Sequence, residues 1–129
     1  MEKKKIMIVD DEQSIRFVIR RILEKEGYDI IEAESGEECL DRLEQEKPDL
    51  ILLDVMMPGL DGWTTCSRIK NRDDTKEITI SMLTVKRSEE DKIKSFEDSL
   101  ADWHISKPID RKDLIKTVKW LLKGPPKRE

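Results

Sequence analysis

Cysteine is nearly absent from this chain. The two that occur, Cys39 and Cys66, stand too far apart to match a metal-binding or redox spacing. They read as reduced thiols in or beside the core. No apolar run approaches the length of a membrane span, and no secretory pattern is visible, so the expected compartment is the cytoplasm. An excess of positive charge is also missing. The net charge is −4 with both signs interspersed, which leaves no electrostatic footprint for nucleic acid. The basic pair Lys127–Arg128 is too small to make a patch. Asn and Gln are few beside the many Lys, Arg and Glu, a bias also met in thermophile proteins.

What the chain does have is charge in quantity. Charged residues make up 42% of it, well above the usual quarter, against 36% hydrophobic. The apolar residues nonetheless cluster in short runs, which argues for a folded protein. At 129 residues there is room for one domain with its own core.

Those apolar runs alternate between two periods. Ile6 to Val9 and Leu50 to Leu53 are continuous, as expected of strands buried on both faces. Tyr28–Ile31, Ile78–Leu83 and Trp103–Ser106 read as three further strands. Between them lie helical stripes. Ile15, Val18, Ile19, Ile22 and Leu23 form the first, closed by Gly27. The second opens at Ser35 or Gly36 and carries Cys39, Leu40 and Leu43; the third runs through Trp63, Cys66 and Ile69. A thin fourth stripe of Ile93, Phe96 and Leu100 follows a cap at Ser88. A fifth, capped by Asp110, carries Leu114, Ile115, Val118, Leu121 and Leu122 and stops at Gly124-Pro125-Pro126. The expected fold is α/β: a doubly wound, five-stranded parallel sheet with five helices, flavodoxin-like, over 1–123, with 124–129 as a flexible tail.

In such a sheet, ligands bind beyond the carboxyl ends of the strands. Asp10 and Asp11 follow the first strand, Asp54 the third, Thr84 the fourth and Lys107 the fifth. The second strand belongs at the edge, which makes its exit at Glu32-Ala33-Glu34 peripheral. Each residue alone has a plain alternative: an Asp pair after a strand often caps a helix, and Asp11 or Glu12 would do so here. Their joint placement at four strand ends is what points to chemistry. At about 5 Å and an effective dielectric near 20, each carboxylate pair repels by roughly 3 kcal/mol, so the cluster calls for a proton or a cation. Hard oxygen ligands in an open cluster suit Mg²⁺ shared with a phosphate. Lys107 offers a compact charge for a phosphoryl oxygen, and Thr84 one hydroxyl donor. Those parts fit phosphoryl transfer onto a carboxylate, with the central Asp54 as nucleophile.

Val9-Asp10-Asp11-Glu12, the segment Asp54 to Gly62, Met82-Leu83-Thr84 and Lys107-Pro108 resemble the four signature segments of response-regulator receiver domains, and the resemblance runs from Lys5 to about Leu122. It implies that a histidine kinase or phosphotransfer protein phosphorylates Asp54, or that a small phosphodonor does. It implies that Asp11, Asp54 and the backbone carbonyl of Met56 ligate Mg²⁺, with Asp10 acting mainly through water. Thr84 would bond the phosphoryl group and draw its loop inward, Lys107 would be the family's lysine, and the Lys107–Pro108 bond would be cis. Met56 and Lys86 fall where the family tunes hydrolysis.

This chain departs from the pattern in four places. His104 stands where Tyr or Phe is usual, Leu100 where Gly is, Trp103 at a position more often acidic, and Val85 in place of Ala. An imidazole in the inward-swinging position adds a group that titrates near neutral pH, so partner affinity is expected to depend on pH between about 6 and 7.5. A solvent-exposed His104 without a role is the alternative. The expected output is a changed protein-binding face on the fourth helix, fifth strand and fifth helix of a monomer or weak dimer. No helix-turn-helix pattern follows Leu122, so the expectation is a stand-alone receiver, with a piece of a longer regulator as the alternative.

Three rival functions make different demands on the same residues. A phosphorylation-independent receiver would not need the full set of Asp10, Asp11, Asp54, Thr84 and Lys107. An aspartyl phosphatase wants an acid two residues beyond its nucleophile, where Met56 stands. A flavin protein needs a Ser/Thr/Gly-rich loop after the first strand, which is missing. The chain is thus expected to be a phosphoryl acceptor rather than an enzyme, with at most slow self-catalysed turnover.

Overall fold

The computed structural model describes residues 3–85 and 100–124. Five strands form one parallel sheet: β1 (Lys5–Val9), β2 (Asp29–Ala33), β3 (Leu50–Asp54), β4 (Thr79–Val85) and β5 (Trp103–Lys107). Their order across the sheet is β2-β1-β3-β4-β5, so β2 does lie at an edge. Four helices are described: α1 (Gln13–Lys25), α2 (Gly36–Arg42), α3 (Gly62–Lys70) and α4 (Arg111–Leu122). The α4 of the structure is the fifth helix of the expectation. The expected fourth helix, with its cap at Ser88, falls outside the described residues except for Leu100, as does the expected tail beyond Gly124.

Period two explains the continuous apolar runs. One set of strand residues, including Met7, Val9, Ile51 and Leu53, packs with Cys39 and Leu43 near α2 and with Cys66 and Ile69 of α3. The alternate set, including Ile6, Ile8, Leu50 and Leu52, packs with Ile19 and Leu23 of α1 and Leu114, Val118 and Leu121 of α4. Both cysteines are buried, and burial pushes the Cys39 thiol up to about 12.

Helix starts follow side-chain chemistry. Ser35, Asp61 and Asp110 each accept a backbone N–H two or three residues into their helices. At α1 the cap position is one of the two expected, but the side-chain bond is not made there. Its N-cap is Glu12, whose side chain makes no cap bond, and Asp10 instead accepts the Glu12 N–H at 2.9 Å. Leu100 also differs. It is a turn residue at φ 68 rather than a helical one. A left-handed leucine is sterically costly, and here it turns the chain so that Asp102 meets β4. There the Asp102 N–H donates to the Ile80 carbonyl at 2.9 Å. The Asp102 carboxylate accepts from the Ile80 N–H at 2.8 Å and from Lys70 at 2.7 Å. The start of β5 is thereby fastened to β4 and α3 together.

Candidate functional site

Four strands deliver polar residues to one rim. Asp10 leaves β1 and is fully buried; Asp54 is the last residue of β3 and is 4% exposed. Lys107 is the last residue of β5, while Thr84 sits one residue inside the end of β4. Asp54 pairs in register with Leu83, which places Thr84 one step beyond it, and Thr84 pairs with Ser106 beside Lys107.

The side chains converge. One carboxylate oxygen from each of Asp10, Asp11 and Asp54 lies within 4.8 Å of the others. The Lys107 ammonium bridges two of them, donating to Asp10 Oδ2 at 2.9 Å and to Asp54 Oδ1 at 3.1 Å. Asp11 is exposed at the mouth. Thr84 Oγ1 is buried and has no hydrogen-bond partner among the described residues. The loop after β3 borders an open groove of about 590 Å³ between Met56, Pro58, Asp61 and Trp63.

Electrostatics follow from this crowding. Burial first, and the Asp10 charge second, push Asp54 up to about 6, against the opposing pull of the Lys107 bond and the Met56 backbone. For Lys107, burial works against the charge. Its bonds to Asp10 and Asp54 outweigh that, and its pKa stays above the ordinary lysine value. Three carboxylates therefore face one ammonium, and the deficit suits a divalent cation. Three hard carboxylate oxygens within 4.8 Å of one another fit the ligand set that would hold Mg²⁺.

A helix start is pressed tightly against this site. A Cβ on Gly62 would stand 2.1 Å from the Asp54 carbonyl oxygen and 2.8 Å from Val55 Cα. Only glycine lets α3 begin so near the end of β3.

Not every sequence candidate joins the cluster. His104 pairs with Met82, two residues before Thr84 on the same sheet face, half-buried with its ring 5.8 Å from that of Trp103. The Lys107–Pro108 bond is cis. Lys86 lies outside the described residues. Glu32 is expected only as a peripheral strand exit, and Arg16 is absent from the expected site residues. Arg16 is buried, donating to the Asp10 carbonyl at 2.6 Å and to Glu32 at 3.0 Å. Its signal was a cation on the buried stripe of a helix, three residues before Ile19 and seven before Leu23.

The comparisons with known proteins fit this geometry. A family model for the response regulator receiver domain matches residues 6–119. The chain belongs to that family. This receiver is 44% identical over 120 residues to the alkaline phosphatase synthesis transcriptional regulatory protein PhoP of Bacillus subtilis; the match covers 93% of this chain and 49% of the relative. The receiver thus spans about half the length of that protein. A response regulator from Chloroflexus aurantiacus superposes with a TM-score of 0.88 at 34% identity, covering 95% of this chain and 99% of the other. The receiver domain of a signal transduction histidine kinase from Syntrophus aciditrophicus gives 0.86 at 34% identity, covering 98% and 95%. The same domain therefore serves proteins with different outputs. Receivers of two-component systems partner with histidine kinases or phosphotransfer proteins and are phosphoryl acceptors rather than true enzymes. No helix among the described residues is long and apolar enough to cross a membrane.

Proposed function

We propose that this receiver takes a phosphoryl group on Asp54 from a histidine kinase or phosphotransfer protein, in a Mg²⁺-dependent reaction in the cytoplasm. The observation that carries the reading is the Lys107 ammonium held between Asp10 and Asp54, with Asp11 close by. An Asp54 oxygen attacks phosphorus, the P–O bond forms as the donor P–N bond breaks, and the donor imidazole leaves with the electron pair. Asp11, Asp54 and the Met56 carbonyl would hold the ion directly, and Asp10 through water. Bound there, the ion supplies charge neutralisation for the transferring group. Lys107 stabilises one phosphoryl oxygen, and the buried Thr84 hydroxyl donates to another.

The output is a protein contact on the face built by β5, α4 and the expected fourth helix, which lies outside the described residues. Trp103 and Trp120 support this. They meet edge to face at 4.9 Å and are 39% and 38% exposed, a large aromatic surface for a solvated position. His104, beside Trp103, fills the place from which the family's aromatic responds to the threonine.

Intact mass after incubation with acetyl phosphate and Mg²⁺ tests the reading. The expected gain is about 80 Da, absent without Mg²⁺ and absent in Asp54→Asn. A gain that persists in Asp54→Asn, or no gain in the wild type, rejects it.

A further inference from the structure

Arg16 is a charged residue in an expensive place. Only 7% of it is exposed, on the face of α1 that covers the sheet, and a buried guanidinium needs its bonds satisfied. It spends them in two directions. Nη1 donates to the backbone carbonyl of Asp10 at 2.6 Å, while Nε donates to Glu32 on the edge strand at 3.0 Å. Glu32 is itself held by Arg20 at 2.6 Å. Burial acts on Glu32 against ionisation, but its bonds from Arg20 and Arg16 keep its pKa below the ordinary value. The fork of Arg16 therefore rests on a firm anchor.

We infer that Arg16 is a positioning residue for the cation site, fixing the Asp10–Asp11 peptide so that both carboxylates aim at one point. The inference rests on the reading of the rim as a Mg²⁺ site. The Asp10 carboxylate is already held from two sides, by Lys107 and by the Glu12 N–H. Asp11 is exposed, so its aim depends on the backbone that carries it. The carbonyl held by Arg16 belongs to the peptide joining the two residues. Asp10 is tied to β2 as well, its N–H donating to the Ala33 carbonyl at 3.2 Å. The peptides on both sides of Asp10 are thus fastened to the β2–α1 side. The planar fork suits this work, because one guanidinium satisfies a carbonyl and a carboxylate at a fixed angle, which an ammonium cannot reproduce.

A simple charge argument predicts the opposite effect, and that makes the inference testable. Removing a cation near three carboxylates should tighten Mg²⁺ binding if charge alone matters. Loss of positioning should weaken it, and outer-shell partners of metal ligands typically contribute 10–100-fold in affinity. The experiment is a calorimetric Mg²⁺ titration of this 129-residue chain as wild type, Arg16→Met, Arg16→Lys and Arg20→Met, at a temperature where circular dichroism shows each to be folded. Arg16→Met is expected to weaken Mg²⁺ binding about tenfold, with Arg16→Lys between it and the wild type. Arg20→Met, which loosens the Glu32 anchor without touching Asp10, is expected to lower the Tm and to weaken the affinity far less than Arg16→Met. If Arg16→Met does not fold, Arg16→Lys decides, since it keeps the charge. Unchanged or tighter binding in the folded Arg16 variants overturns the inference, as does equal weakening in Arg20→Met. Absence of Mg²⁺ binding by the wild type instead rejects the cation site itself.

Discussion

Lowering the pH from 7 to 5 is expected to weaken Mg²⁺ binding about tenfold through Asp54 alone. Burial and the neighbouring Asp10 raise this carboxyl to about 6, and a cation takes only its ionised form. A group titrating near 6 is about nine-tenths ionised at pH 7 and about one-tenth ionised at pH 5. The same displacement bears on folding, with a sign opposite to the usual one for aspartate. Between pH 4 and 6 the unfolded chain releases a proton that the folded chain still holds. Stability therefore falls as pH rises through that window and stays lowered above it. Saturating Mg²⁺ favours the ionised form and offsets the loss, so its effect on Tm should be larger at pH 7 than at pH 5. Mg²⁺ titrations at pH 5, 6 and 7, with melts in the presence and absence of the ion, measure both effects. Asp54→Asn has no proton to release there, so its melts without Mg²⁺ isolate the contribution of this group. A Mg²⁺ affinity that stays level or rises toward pH 5 would refute the reasoning. So would an Asp54→Asn variant whose apo stability follows the wild-type pH profile.

Three other perturbations bear on separate parts of the molecule. Gly62→Ala should destabilise the fold by about 1–3 kcal/mol and slow phosphorylation by acetyl phosphate, because its Cβ would stand 2.1 Å from the Asp54 carbonyl oxygen; denaturant melts and intact-mass time courses read the two effects. At Leu100 (φ 68), Gly should be more stable than Ala by about 1 kcal/mol, the reverse of their order at an ordinary position, and chemical denaturation of Leu100→Gly and Leu100→Ala gives the comparison without the leucine side chain in either. His104→Tyr should keep phosphorylation at Asp54 but flatten the pH dependence of partner binding between about 6 and 7.5; identical profiles remove the idea that the imidazole acts in the switch.

How much of this was legible from residues alone depended on whether the signal was periodic. The strands were readable because Ile6–Val9 and Leu50–Leu53 are continuous, and the structure shows why: alternate residues serve two cores, one on each face. Strand ends were less legible. β2 runs on to Ala33, and β4 extends one residue beyond Thr84, since hydrogen-bonded pairing continues after the apolar pattern stops. The rim was legible because residues directly following apolar runs must emerge together at one edge of a parallel sheet. Contacts made sideways were not. Arg16 reaches the Asp10 carbonyl only because α1 packs beside β1, and Asp102 meets Lys70 only after Leu100 has turned the chain. Neither pairing leaves a spacing that can be read along one sequence. Leu100 misled for a related reason, because a leucine after an apolar stripe looks helical until the backbone angle is seen.

The proposed switch can be weighed against the contacts it would change. Phosphorylation shifts a conformational balance only through interactions that differ between the two states. One such difference is already present in the unphosphorylated protein: Thr84 Oγ1 is buried without a partner among the described residues, a condition that typically costs about 1–3 kcal/mol. A phosphoryl group on Asp54 brings three acceptor oxygens to that neighbourhood, so inward movement of Thr84 would relieve the deficit. Lys107 supplies the second difference, because its bond to Asp54 Oδ1 competes with the new oxygens for the same ammonium. If the hydroxyl alone recovers about 1–3 kcal/mol, the active-to-inactive ratio rises roughly 5- to 150-fold, the usual range for a regulatory coupling. Thr84→Val, which keeps the shape and removes the donor, should therefore leave phosphorylation of Asp54 intact while abolishing most of the change in partner affinity. Full switching in Thr84→Val would place the driving contact at Lys107 instead.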